Sequence, residues 1–299
     1  MPEAQVREPH HILQPRPSPA RLSLVIPMYN EEKVVDFLRA ALENFMRDVS
    51  AEMEVILVND GSSDGTIEKI AGWATEDRRI KVLQLSRNFG HQIASTAGLD
   101  YATGDAVVLI DADLQDPLPV VHQMIERYRE GYDVVYGQRE ARQGESAFKR
   151  LGAWAFYRVM RLMVYKDLPL DTGDFRLISR ECLEGLKRMR ETHRFLRGMV
   201  AWVGYPQFAV KYQRASRVAG ETKYPLRRML ALAWTAATSF STVPLKLSII
   251  LGLITGIVGI EEGCRALWEF SFGRVVPGWT SLMVVTSVVG SALLISVGT

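Results

Sequence analysis

Cysteine is scarce. The 299-residue chain has two, Cys182 and Cys264, far apart in sequence. They form neither a disulfide framework nor a zinc-type spacing, and a reducing environment is the default for the main domain. A large excess of charge is also missing: the formal net charge is +2, so no nucleic-acid partner is expected. No G-x-G-x-x-G follows the first strand-like stretch, which argues against a dinucleotide dehydrogenase, and the absence of G-x-x-x-x-G-K-[ST] argues against a P-loop NTPase. There is no internal repeat. Residues 1–20 lack the apolar core of a signal peptide and hold Pro2, Pro9, Pro15, Pro17 and Pro19, so they read as a disordered lead.

Charge is nearly absent from the other end. From Thr235 to Ile260 the only charged residue is Lys246, and from Val275 to Thr299 there is none. Either run is long enough for ~30 Å of hydrocarbon. The expected arrangement is a transmembrane hairpin over residues 243–299, with spans at about 243–260 and 276–299 and a polar link Glu261–Arg274; two buried core helices are the alternative. Gly252, Gly256 and Gly259 suit close helix packing in lipid. Arg227, Arg228 and Lys246 precede the first span, so the positive-inside rule places the N-terminal region in the cytoplasm. The run ending at Thr299 reads as a chain cut at or near the end of a span.

Between these ends strand-like and helix-like stretches alternate. "LSLVIP", "EVILV", "IKVLQL", "AVVLI" and "DVVYG" read as strands. "EEKVVDFLRAALENFM" reads as a helix with Val34, Leu38, Ala41, Leu42 and Phe45 on one face. "HQIASTAGLDYA" and a stretch from about Leu118 to Arg129 read as further helices. Continuous apolar strands separated by helices predict an α/β domain with a mainly parallel sheet covered on both faces. The expected catalytic domain spans 21–222. Ligands bind such sheets beyond the carboxyl ends of the strands. There stand "PMYNEE", "NDGSSDGT" and "DADLQDP".

In "DADLQDP" an apolar strand runs into three carboxylates and an amide. In extended form Asp111, Asp113 and Gln115 point the same way. Oxygen ligands on one face suit a hard divalent cation, Mg²⁺ or Mn²⁺, which relieves the repulsion between the carboxylates; a solvated turn is the plainer alternative. Asp60 ends the second strand and can accept hydrogen bonds from a nucleobase or ribose, whereas Asp64 suits a helix cap. Asn30 is read as an N-cap, with Glu31 and Glu32 at a helix N-terminus.

Taken together, "VIPMYNEE", "VNDGSSDGT", "LSRNFGHQIASTAGLDYATGD", "DADLQDP" and "DTGDFRLISR" resemble glycosyltransferase family 2, and more narrowly its membrane-bound polyprenyl-phosphate glycosyltransferases. The resemblance runs from about Arg21 to the end. It implies a GT-A (Rossmann-like) fold, a nucleotide-sugar donor, Mg²⁺ or Mn²⁺, a polyprenyl phosphate acceptor and a cell (inner) membrane location. By position it assigns Pro27, Tyr29, Glu31 and Asp60 to the nucleotide, and Asp111, Asp113 and Gln115 to the metal and diphosphate. Asp174 falls beside the reacting carbon of the sugar. Arg217 and Lys223 correspond to a basic pair over the diphosphate, and Arg139 and Arg142 to the acceptor phosphate. The implied reaction is inverting transfer of glucose from UDP-glucose.

"SAFKRLGAWAFYRVMRLMVY" mixes basic and aromatic residues as a helix at the headgroup level does, or as a packed helix with a basic solvent face. Residues 223–242 are expected to form an interfacial helix. GDP-mannose is the rival donor, and a non-catalytic membrane scaffold is the rival class. A processive polysaccharide synthase is disfavoured because Q-x-x-R-W is absent. A homo-oligomer is left open.

Overall fold

Uninterrupted apolar stretches become strands buried on both faces. β1 (Arg21–Met28) buries seven of its eight residues, as does β2 (Glu52–Asn59). Such strands need cover on both sides, and helices supply it. The structure is a computed structural model in which residues 13–139, 172–191, 194–214, 243–272 and 278–298 are described. It divides into a large unit holding the sheet and a small one holding the C-terminal helices.

After β1 and β2 come β3 (Ile80–Gln84), β4 (Ala106–Leu109), β5 (Val134–Arg139), β6 (Thr172–Ser179) and β7 (Gln207–Tyr212). The sheet order is β3-β2-β1-β4-β6-β5-β7. Every pairing is parallel except those of β6, which runs antiparallel to both β4 and β5. The mainly parallel α/β expectation holds; β6 and β7 were not foreseen.

The helices of this unit are α1 (Val35–Asp48), α2 (Thr66–Glu76), α3 (His91–Tyr101), α4 (Val120–Arg129), α5 (Arg180–Arg188) and α6 (Leu196–Val203). On α1, Val35, Leu38, Leu42, Phe45 and Met46 form the buried stripe, the spacing of an amphipathic helix. They share a core with Leu22, Leu24, Ile26, Val55 and Leu57 of the sheet. α3 lies very close to β1 and β2. A Cβ on Gly98 would stand 2.3 Å from Val25 Cγ1 and 2.9 Å from Val58 Cγ2, so only glycine seats the helix at this depth.

Two expectations are corrected here. Residues 13–20, placed in the disordered lead, are ordered around Arg16. Its guanidinium donates to Tyr128 O at 2.8 Å and Asp133 Oδ1 at 2.9 Å and lies 4.0 Å from the Tyr128 ring centre. These contacts outweigh the proline-rich composition; residues 1–12 lie outside the described residues. Asn30 is not an N-cap: α1 starts at Val35, and Asn30 instead adopts a left-handed φ of 52°.

In the small unit, α7 (Val243–Ser271) packs along α8 (Trp279–Gly298). The stretch Leu245–Glu269 of α7 is long and apolar enough to cross a membrane, and α8 carries a shorter apolar segment, Ser281–Val297. Gly252, Gly256 and Gly259 face Ile295, Ser291 and Ser287 of α8, and Ser291 Oγ donates to Gly252 O at 2.7 Å. The predicted link is helical as far as Ser271. "EEGCRALWEF" contains no proline, and Arg265 pairs with Glu262 and Glu269 one turn away on either side, which supports continued helix.

Candidate active site

The sheet register explains how two distant acids meet. β4 pairs with β6 through Leu109↔Arg176. Continued by two places past the end of the ladder, that register sets Asp111 opposite Asp174. Because β6 is antiparallel, its first residues lie at the carboxyl edge of the parallel strands, where such sheets bind ligands.

Asp174 is buried and held from several sides. Arg197 Nε donates to Oδ1 at 2.8 Å and Gln92 Nε2 to Oδ2 at 3.0 Å. His91 Nε2 is 3.2 Å from Oδ2 and 3.6 Å from Asp111 Oδ1, so the imidazole bridges the two acids. Burial raises the Asp174 carboxyl, but Arg197 and His91 outweigh it and hold the group well below the usual carboxylate range. Burial lowers His91, yet the hydrogen bond to Asp174 and the charges of Asp111 and Asp174 bring it up to about 9. A carboxylate so firmly ionised is a weak base and a strong electrostatic anchor.

Asp111 shifts the other way. Burial pushes it up, and Asp116, Asp174 and Asp113 add to that against His91. The stretch after it is a turn, not an extended strand. Leu114 has a φ of 55°, and the Gln115 backbone N–H donates to Asp113 Oδ1 at 3.1 Å. The expected alternation of Asp111, Asp113 and Gln115 on one face therefore does not occur, and Gln115 is buried.

No group of three His, Cys, Asp or Glu arranged for a metal occurs among the described residues. The surroundings nevertheless fit a divalent cation. Asp111 is buried with Asp116, Asp174 and Asp113 around it against the single imidazole of His91, and Asp116 Oδ2 is buried with no hydrogen-bond donor among the described residues. Mg²⁺ typically takes only one or two protein carboxylates beside substrate phosphates and water.

The loops after β1 and β2 are laced together. Ser63 N donates to Asn30 Oδ1 at 2.8 Å, Asn30 N to Ser62 Oγ at 2.9 Å and Glu31 N to Thr66 Oγ1 at 2.9 Å. Asp64 Oδ1 accepts from Thr66 N at 3.2 Å, but the N-cap of α2 is Gly65; the capping role expected of Asp64 is not taken up, and its carboxylate closes the turn one residue earlier. Asp60 is buried; its two oxygens accept from Phe89 N at 2.8 Å and Gly90 N at 2.9 Å. It thereby fixes the turn that leads into α3. Pro27 pairs with Val58 at the end of β1, and Tyr29 beyond it is exposed.

Arg139, at the end of β5, lies 3.7 Å from Asp116 Oδ1 through Nη2 and donates from Nε to the Tyr212 hydroxyl at 3.3 Å. The Tyr212 hydroxyl in turn donates to Asp116 Oδ1. Arg142, Arg217 and Lys223, the basic amphipathic stretch and the expected interfacial helix over 223–242 lie outside the described residues.

The family model for glycosyl transferase family 2 matches residues 23–186, which include all of these strand-end loops. The chain belongs to glycosyl transferase family 2. It is 44% identical over 277 residues to an uncharacterized glycosyltransferase of Bacillus subtilis, covering 92% of this chain and 86% of the relative. It is 37% identical over 279 residues to the bactoprenol glucosyl transferase of Shigella phage SfV, covering 93% and 91%. A prophage bactoprenol glucosyl transferase homolog of Escherichia coli matches at 37% over the same shares. Among solved structures, glucosyl-3-phosphoglycerate synthase from Mycobacterium tuberculosis, in complex with Mn²⁺, UDP and phosphoglyceric acid, superposes with a TM-score of 0.51. It has 20% identity, over 73% of this chain and 76% of that one. The glycosyltransferase thus has the GT-A fold.

Sequence reasoning missed His91, Gln92 and Arg197. The first two lie inside a stretch that carried the family resemblance and had no role assigned. Arg197 gives a weak signal, a lone cation on "LRGMVAWV" whose neighbours are apolar.

Proposed function

We propose that this glycosyltransferase moves glucose from UDP-glucose to a polyprenyl phosphate at the cytoplasmic face of a membrane, with inversion at the anomeric carbon. The bridged pair Asp111–His91–Asp174 at the sheet edge carries the reading. It puts a firmly ionised acid beside a second carboxylate that shares one imidazole with it and has Asp113 and Asp116 close by, as a site for a sugar next to a metal-bound diphosphate requires. The names of the bactoprenol glucosyl transferase relatives support the lipid acceptor and the glucose. α7 supports membrane attachment.

A phosphate monoester is largely ionised at neutral pH, so the nucleophile needs orientation more than deprotonation. Its oxygen attacks the anomeric carbon and the nucleoside diphosphate leaves. Asp174, a weak base, stabilises positive charge developing on the sugar and orients its hydroxyls. Asp111 and Asp113 would hold the divalent cation, which when bound stabilises charge on the leaving diphosphate. Pro27, Tyr29, Glu31 and Asp60 would form the nucleotide side, with Asp60 keeping its hold on the Phe89–Gly90 turn. Gln115 is assigned to the diphosphate motif through the shape of its turn. Arg217 and Lys223 would neutralise the diphosphate, and Arg139 and Arg142 the acceptor phosphate.

The test is transfer by the purified full chain, with Mg²⁺, from labelled UDP-glucose or GDP-mannose to undecaprenyl phosphate. A glucosyl lipid with β linkage and release of UDP is expected. A mannosyl product alone would correct the donor, and no lipid product from either would overturn the reading.

A further inference from the structure

Asp174 is gripped by two elements outside the strand that bears it. Its own strand supplies Arg176, whose guanidinium donates to Gly173 O at 3.0 Å and Asp174 O at 3.3 Å and lies 3.8 Å from Oδ1. Those contacts secure the backbone of β6. From α6, Arg197 reaches both carboxylate oxygens, with Nε 2.8 Å from Oδ1 and Nη2 3.4 Å from Oδ2. From α3, Gln92 donates to Oδ2 at 3.0 Å, while its own Oε1 accepts from Leu196 N at 2.9 Å. One side-chain amide thus joins α3, β6 and the first turn of α6.

Packing alone does not call for this arrangement. Around Arg197 on α6, Leu196, Gly198, Met199, Val200 and Ala201 are buried and apolar. A partly buried guanidinium among them carries a desolvation cost that an apolar side chain of similar size avoids. Arg176 already places a cation beside Asp174. What Arg197 adds is geometry: a planar fork fixes the plane of the carboxylate as well as its charge.

We propose that Arg197 and Gln92 are positioning residues that lock the Asp174 carboxylate toward the Asp111 end of the site, so that α6 sets the rate of sugar transfer without touching either substrate. The inference rests on the placement of Asp174 beside the sugar given above. Orientation by supporting groups matters most where charge develops in the transition state, so its loss falls on turnover and not on donor binding.

The experiment measures transfer from UDP-glucose to undecaprenyl phosphate by the full chain in detergent, with melting temperature and UDP-glucose affinity in parallel. Arg197→Met should lower kcat roughly 10- to 100-fold, the range for losing a charge-assisted hydrogen bond, with donor affinity close to wild type. Arg197→Lys should recover part of that loss. Gln92→Met should lower kcat in the same sense, and it provides an independent reading if Arg197→Met does not fold. Combined with Asp174→Asn, Arg197→Met should add little further loss, since a group that acts through Asp174 has nothing left to position. Wild-type kcat in both Arg197→Met and Gln92→Met, or full additivity with Asp174→Asn, overturns the positioning role while leaving the proposed function standing. A wild-type chain that makes no glycosyl lipid overturns the proposed function and this inference with it.

Discussion

His91 Nε2 stands 3.2 Å from Asp174 Oδ2, on the side that faces Asp111. Removing the imidazolium leaves two carboxylates facing each other with less charge between them. His91→Gln should lower turnover by roughly 10- to 100-fold, the scale of a lost hydrogen bond between charged groups. Steady-state rates at saturating donor and acceptor check this. Unchanged turnover would exclude His91 from the site.

Dependence on a divalent cation should run through Asp111 and Asp113. Asp113→Asn removes a charged ligand from a half-buried side chain in the turn after β4 and leaves the buried strands untouched, so its melting temperature should stay near wild type while activity at low Mg²⁺ falls sharply. A titration of rate against Mg²⁺ and Mn²⁺, with EDTA as the zero point, reads the shift. Full turnover of Asp113→Asn in EDTA would sink the assignment.

Acid stability should depend on Glu54, far from this chemistry. Burial opposes its ionisation, but hydrogen bonds from Lys81, Ser23 and Thr103 outweigh burial and lower its pKa from 4.5 to about 2. The folded value lies below the unfolded one, so the stabilisation is complete above about pH 4.5 and is lost as pH falls toward 2. The shift corresponds to a contribution on the order of 3 kcal/mol. Melting curves of wild type and Glu54→Gln between pH 6 and pH 2.5 should converge as pH falls. A constant gap would assign the effect of the substitution to packing.

Topology is open to direct labelling. Cys264 is exposed on α7, whereas Cys182 is buried with its thiol pushed by burial up to about 12. A maleimide should therefore modify Cys264 alone in the native chain. In oriented vesicles, Cys264 should be labelled from the side opposite a cysteine introduced at exposed Glu130. Labelling of both from one side would refute a membrane-crossing hairpin.

Strands β1 to β5 were legible because each centres on an apolar run closed by polar turn residues. The polar clusters at their ends marked the binding edge for the same reason. β7, parallel to β5, was missed because Gln207 and Lys211 break up a short run. β6 escaped notice because "DTGDFRLIS" opens with turn-forming residues and mixes Asp174 and Arg176 into the strand; their charges are satisfied by each other and by α6, which only the assembled fold reveals. The turn at Leu114 likewise defeated the reading of alternating ligands, since a left-handed leucine has no signature in composition. Asn30 looked like a cap because asparagine often is one; here its amide is used across two loops.

The seat of α3 on the sheet bears on how the site moves. At Gly98 no side chain separates the helix from Val25 and Val58, and close-packed surfaces without such a cushion resist sliding. The first turn of α3, which touches Asp60 through the preceding amides and Asp174 through its side chains, is thereby tied to the buried centre of the sheet. Any opening or closing that accompanies substrate entry must hinge elsewhere, and amide exchange across Ser95–Leu99, whose N–H groups bond within the helix against the sheet, should be slow compared with the exposed loops.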